Sequence, residues 1–82
     1  MYSILLSRIA EKQLKKLDKK TQARIISAIK RCRIRPYAHV KRLVESPYFR
    51  LRAGDYRIIM AIKENRLLIL VIEIKHRKKV YK

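Results

Sequence analysis

Acidic residues are scarce in this chain: six Asp and Glu stand against 23 Lys and Arg in 82 residues. Glycine occurs once, proline twice and cysteine once. So little Gly and Pro argues against a disordered or low-complexity chain. A single cysteine excludes an intramolecular disulfide, and no Cys/His spacing suggests zinc, so Cys32 reads as a small hydrophobe on a helix. Long apolar runs are missing too. Leu67-Leu68-Ile69-Leu70-Val71-Ile72 is the longest, far short of the roughly 20 residues that span a bilayer. The start lacks the basic-then-apolar layout of a signal segment. The expectation is a single cytoplasmic domain over residues 1–82, with no membrane partner, metal or cofactor.

What is present is positive charge. The formal net charge is +17, and such a field repels itself and lowers the stability of the compact state. The usual reason to keep it is a polyanionic partner, either nucleic acid or an acidic protein that mimics one. Surface lysine alone proves no partner, but this density favours one. The 49% hydrophobic share is enough for one core, although a domain this small buries only about 60% of its unfolded surface.

Periodicity divides the chain in two. Tyr2-Ser3-Ile4-Leu5-Leu6 is short and β-tolerant, and Ser7 after it suits a helix N-cap. Ala10, Leu14 and Leu17 then recur at helical spacing with Lys12, Lys15 and Lys16 between them, an amphipathic helix with a basic outer face. Asp18-Lys19-Lys20-Thr21 interrupts the pattern. Ile25, Ile26, Ile29 and Cys32 restart it, and Pro36 ends it. So short a joint predicts a helical hairpin.

From Tyr48 the period becomes two. Tyr48-Phe49-Arg50-Leu51-Arg52 alternates, Gly54-Asp55 suits a tight turn, and residues 56–63 form the next strand. Glu64-Asn65 turns again, and residues 66–75 run back. That is an antiparallel meander. Its last strand is apolar on both faces and should be central, so the N-terminal strand must pair with its free side. The predicted fold class is α+β: an N-terminal strand, a two-helix hairpin and a three-stranded meander, forming a four-stranded sheet with the helices on one face.

With Gly54 and Asp55 as the turn, Arg52 lies opposite Arg57 and Arg50 opposite Ile59. Arg50, Arg52 and Arg57 then share a face, while Phe49, Leu51, Ile58 and Met60 point to the core. Like charges directly opposite one another destabilise a sheet, so the arrangement implies either a bound anion or side chains splayed on a solvated edge. The run Lys75-His76-Arg77-Lys78-Lys79-Val80-Tyr81-Lys82 is delivered near Arg57 by the last strand. An aromatic among cations suits stacking on a base; a frayed terminus is the plainer reading. Strict alternation would put His76 on the Arg57 face, unless the strand ends or bulges before Arg77. Lys41 and Arg42 read equally as an extension of an RNA track or as a solvated loop, and Tyr37 and His39 receive no role.

Tyr48-Phe49-Arg50-Leu51-Arg52-Ala53-Gly54-Asp55-Tyr56-Arg57-Ile58-Ile59, a hydrophobic strand, and His76-Arg77-Lys78-Lys79-Val80-Tyr81 together resemble the RelE/ParE toxin superfamily. The order of elements fits over essentially the whole chain. The resemblance implies a toxin–antitoxin module: RelE members cut messenger RNA in the ribosomal A site, and ParE members poison DNA gyrase. It implies as partners an acidic, RelB-like antitoxin that wraps the toxin, mRNA and ribosomal RNA, and operator DNA bound through the antitoxin. By position it makes Arg57 the contact to the scissile phosphate, Arg77 the residue that stabilises or protonates the leaving 5′-oxygen, and Tyr81 the stacking tyrosine. Arg50 stands where RelE enzymes carry a catalytic lysine. Tyr48 stands where they carry a second one, a departure that bears on the identity of the base. The candidate catalytic residues are therefore Arg50, Arg57, Arg77 and Tyr81. The candidate RNA contacts are Tyr48, Arg52, His76, Lys78, Lys79, Lys41 and Arg42.

Cleavage by the ribose 2′-hydroxyl on its own 3′-phosphate uses no metal, and fixed guanidinium groups stabilise the extra charge of the transition state. Arginine is a poor base because its pKa exceeds about 12. Tyr81, lowered by surrounding cations, and His76, because histidine is the usual proton carrier near neutral pH, are the alternatives for proton transfer. The competing classes are a gyrase inhibitor and a non-catalytic nucleic-acid-binding module.

Overall fold

A computed structural model describes residues 1–77. Strand β1 (Ser3–Leu6) leads through Ser7 into α1 (Arg8–Lys15), followed almost at once by α2 (Lys19–Arg31). Ser7 caps α1 as its position suggests, its Oγ accepting the Ala10 N–H at 3.0 Å. Asp18 occupies the N-cap position of α2 without a side-chain cap bond. A 3₁₀ turn at Pro36–Ala38 comes next, then β2 (Lys41–Arg42), β3 (Phe49–Ala53), β4 (Tyr56–Lys63), a second 3₁₀ turn at Glu64–Arg66, and β5 (Leu68–His76).

Among the described residues the sheet has five strands in the order β1-β5-β4-β3-β2. β1 runs parallel to β5 and the other pairings are antiparallel. The expected four strands are all present, with β5 central between β1 and β4. The fifth is β2, where the sequence suggested a loop or an RNA track. Two residues are too few to show a period, and β2 exists only because β3 offers it an edge. The last turn also runs further than Glu64-Asn65: Leu67 takes a left-handed conformation (φ 48°) before β5 begins.

α1 packs on β5 and β1, and α2 on β3. Their buried residues Ala10, Ile25, Ala28, Ile29 and Cys32 meet Leu51, Ala53, Ile58, Met60, Ile69, Val71 and Ile74 from one face of the sheet. Each fully buried aliphatic side chain here contributes roughly 1.5–3 kcal/mol of transfer free energy. Cys32 is fully buried, and its Sγ lies 3.7 Å from the Ala28 carbonyl oxygen. Burial pushes its thiol up, which fits a packing residue and not a nucleophile. No helix among the described residues is long and apolar enough to cross a membrane.

Candidate functional site

The face of the sheet away from the helices is cationic, and the strand register orders it. Arg52 on β3 pairs with Arg57 on β4, and Arg57 with Lys75 on β5. One step along, Lys41 on β2 pairs with Arg50, Arg50 with Ile59, and Ile59 with Glu73. Side chains directly opposite one another have Cβ atoms about 5 Å apart, so five cations occupy two adjacent rungs. Glu73 is the one carboxylate in them, and it engages Lys75 at 3.4 Å. Lys41, Arg50 and Arg52 line a shallow depression of about 200 Å³ together with His39. Anchoring by hydrogen-bonded strands fixes where these stems start, a requirement for holding a phosphodiester in one place.

A bulge decides which β5 residue joins them. Ile59 pairs with Glu73 but Met60 pairs with Val71, leaving Ile72 as the extra residue. Two side chains satisfy the backbone there. Ser7 Oγ donates to the Ile72 carbonyl at 2.6 Å, and Gln13 Oε1 accepts the Ile74 N–H at 2.6 Å. The bulge moves the alternation on by one residue, so Lys75 lies opposite Arg57 and His76 opposite Tyr56. This corrects the strict-alternation expectation for His76. Its ring meets Tyr56 edge-on (4.8 Å, 88°), and with Gln13, Lys16 and Leu17 it lines a cleft of about 620 Å³ on the helix side. The Arg77 N–H donates to the Asp55 carbonyl at 2.7 Å, which ties the chain leaving β5 to the β3–β4 turn.

The other expected contacts separate. Lys41 joins the cationic face, but Arg42 points to the opposite one, its Nε donating to the Ser46 carbonyl at 3.3 Å and its guanidinium lying 6.0 Å over the Phe49 ring. Tyr48 is exposed just before β3, with its N–H donating to Ser46 Oγ at 3.1 Å. Lys78, Lys79 and Tyr81 lie outside the described residues. Two residues were not singled out in the sequence. Lys75 depends on a bulge that no local pattern announces, and His39 depends on a two-residue strand that carries no period. Among the described residues no His, Cys, Asp or Glu side chains gather into a metal-binding set of three or more.

Comparison with known proteins follows the same outline. A family model described as the ParE toxin of the type II toxin–antitoxin system parDE matches residues 4–81. No curated protein matches significantly. Among solved structures, the toxin–antitoxin complex RelBE2 from Mycobacterium tuberculosis superimposes with a TM-score of 0.82 at 23% identity, covering 93% of this chain and 98% of that one. The archaeal RelE–RelB complex from Pyrococcus horikoshii gives 0.81 at 23% identity, covering 93% and 94%. The isolated E. coli RelE toxin gives 0.80 at 17% identity, covering 99% and 92%. At these identities the structures establish the shared fold, and the family match extends over nearly the whole chain. The chain belongs to the ParE toxin family, within the RelE/ParE superfamily, and is a toxin of a type II toxin–antitoxin system.

Proposed function

We propose that this toxin is a metal-independent endoribonuclease of the RelE kind, which cuts messenger RNA in the ribosomal A site and so stops translation in the cytoplasm. The observation that carries this reading is the rung Arg52–Arg57–Lys75, three cations side by side in which Glu73 from the next rung engages Lys75 and the two arginines face each other. Such a rung lowers the stability of the free protein and becomes favourable when a phosphodiester bridges it. In the reaction the 2′-hydroxyl loses its proton and attacks the adjacent phosphorus. The bond to the 5′-oxygen breaks, leaving a 2′,3′-cyclic phosphate and a 5′-hydroxyl. Arg57 and Arg50 grip the phosphoryl oxygens as charge accumulates, each group worth on the order of 3 kcal/mol by analogy with oxyanion-hole donors. Arg77 serves the leaving oxygen, and Tyr81 stacks on the substrate and takes the proton. His76, on the other face of the sheet, is the weaker candidate for that proton. Lys41, Arg52, Lys75 and Tyr48 extend the RNA path, and the basic helix faces meet ribosomal RNA.

The partner that silences the toxin is an acidic, RelB-like antitoxin that wraps it, with operator DNA bound through the antitoxin. The solved complexes of similar fold pair RelE-type toxins with RelB-type antitoxins. A net charge of +17 supports an acidic wrap here.

Induction of the toxin in cells, followed by primer extension on abundant messages, tests the reading. New 5′ ends within translated codons are expected, and Arg57→Ala should abolish them along with growth arrest while the circular dichroism spectrum stays unchanged. A second reading, gyrase poisoning, is favoured by the ParE family match itself. Inhibited supercoiling by purified gyrase, with message ends unaltered, is its signature. RNA binding with a steep salt dependence but no new ends marks a non-catalytic module.

A further inference from the structure

The segment that carries β2 along the sheet edge presents chemistry to both faces. Lys41 and His39 contribute to the cationic depression. Arg42 and Tyr37 lie at a second depression of about 440 Å³ on the opposite face, with Phe49, Lys63, Glu64 and Asn65. Buried Pro36 fixes the 3₁₀ turn from which Tyr37 projects. Tyr37 as a residue is 46% exposed; its ring stands 5.4 Å from Phe49 at 65° and is held by its hydroxyl, which donates to Glu64 Oε1 at 2.6 Å. The Arg42 guanidinium also lies over Phe49, 6.0 Å from the ring centroid. Two aromatic rings, one of them well exposed, therefore sit in a preset arrangement beside two cations.

We propose that Tyr37 and Phe49, with Arg42, form a stacking subsite for one unpaired base of single-stranded RNA that wraps the β2 edge from the cationic face. The proposal rests on the RNA-binding reading above and adds Tyr37 and Phe49, to which that reading assigned nothing, beside Arg42. Aromatic faces take any base and a neighbouring arginine adds a cation–π contribution. Lys41 and Arg50 hold the phosphates on one side of the edge while the base turns over it. Glu64 keeps Oε2 to accept from an exocyclic amino group, which favours adenine, guanine or cytosine over uracil. Local charge also suits a nucleotide, since Arg42 and Lys63 outnumber Glu64.

The test uses the full chain carrying Arg57→Ala, so that RNA survives, and a fluorescein-labelled single-stranded (A)₁₂ RNA read by anisotropy. Tyr37→Leu removes the π face but keeps apolar bulk, and is expected to weaken binding about tenfold with the salt slope unchanged, because no charge is lost. Tyr37→Phe retains the ring and should stay within about twofold of the parent, which separates stacking from loss of the Glu64 bond. Equal affinity of the parent and Tyr37→Leu, alongside clear weakening by Lys41→Ala, overturns the subsite and leaves the cationic face standing. No binding by the parent at low salt overturns both. Weakened antitoxin binding by Tyr37→Leu with RNA affinity intact assigns the depression to a protein partner and overturns the proposal.

Discussion

Arg52 and Arg57 face each other as direct register partners across β3 and β4, with Lys75 next in line on β5. A cross-strand pair of like charges costs a few tenths to about 1 kcal/mol, so replacing one partner should stabilise the free toxin. Arg52→Thr, which keeps a β-favouring residue, is expected to raise the free energy of unfolding by that amount in dilute buffer, read as a higher urea midpoint. In about 1 M salt the gain should vanish, because the Debye length falls to roughly 3 Å. The same variant should bind RNA more weakly. A lower midpoint in dilute buffer would show that the two guanidinium groups do not repel in the folded state.

The bulge at Ile72 is held by two side chains from the other end of the chain. Ser7 Oγ caps α1 and donates to the Ile72 carbonyl, while Gln13 Oε1 accepts the Ile74 N–H. Gln13→Ala leaves that N–H without its acceptor, at about 1–3 kcal/mol. Ser7→Ala removes both a cap and a donor, with a cost of about 0.5–2 kcal/mol from the cap alone. Urea denaturation gives the totals. Hydrogen exchange at the Ile74 amide gives the location, and should accelerate in Gln13→Ala more than at other β5 amides. Uniform acceleration along β5 would deny the bulge its specific support.

These features mark the boundary of what the sequence discloses. The Arg52–Arg57 pairing was legible because Gly54-Asp55 makes a two-residue turn, and turn length sets hairpin register. β1 and β5 were legible because an apolar strand needs neighbours on both sides. The face of His76 was not. It depends on one extra residue, Ile72, whose carbonyl is satisfied by Ser7 65 positions away, and on the Ile74 N–H, satisfied by Gln13 61 positions away. Lys41 and Arg42 parted for a similar reason, since only pairing with β3 turns a basic dipeptide into two opposed side chains.

Gly54 is the only glycine in the chain and sits at φ 59°, where an L side chain is strained. An added Cβ also meets Arg24 Nη1 at 3.2 Å, the flexible end of a side chain that is able to give way. Backbone strain therefore sets the cost, about 1–2 kcal/mol for Gly54→Ala. In a domain this size each kcal/mol lowers Tm by roughly 4–8 °C. Gly54→Asn should lose less, because asparagine tolerates the left-handed region. Equal losses in the two variants would point to crowding against Arg24 and not to the backbone.

Tyr37 supplies a pH-dependent signature of its own. Its hydrogen bond to Glu64, with smaller contributions from burial and the Glu64 charge, pushes its phenol up to about 12 from the ordinary 10. The folded state thus favours the neutral tyrosine more than the unfolded chain does. The resulting stabilisation is complete below pH 10 and is lost as the pH rises through about 12. Absorbance at 295 nm, parent minus Tyr37→Phe, should show one phenol ionising near the upper value. Glu64→Gln should return it toward 10, because an amide oxygen accepts a weaker hydrogen bond from the phenol than a carboxylate does and carries no charge to oppose the phenolate. The stability gap between parent and Tyr37→Phe should hold steady at neutral pH and close above pH 11. An ordinary titration near 10 in the parent would mean that the Tyr37–Glu64 bond does not persist in solution, and the ring would then be placed by its packing against Phe49 and Pro36 alone.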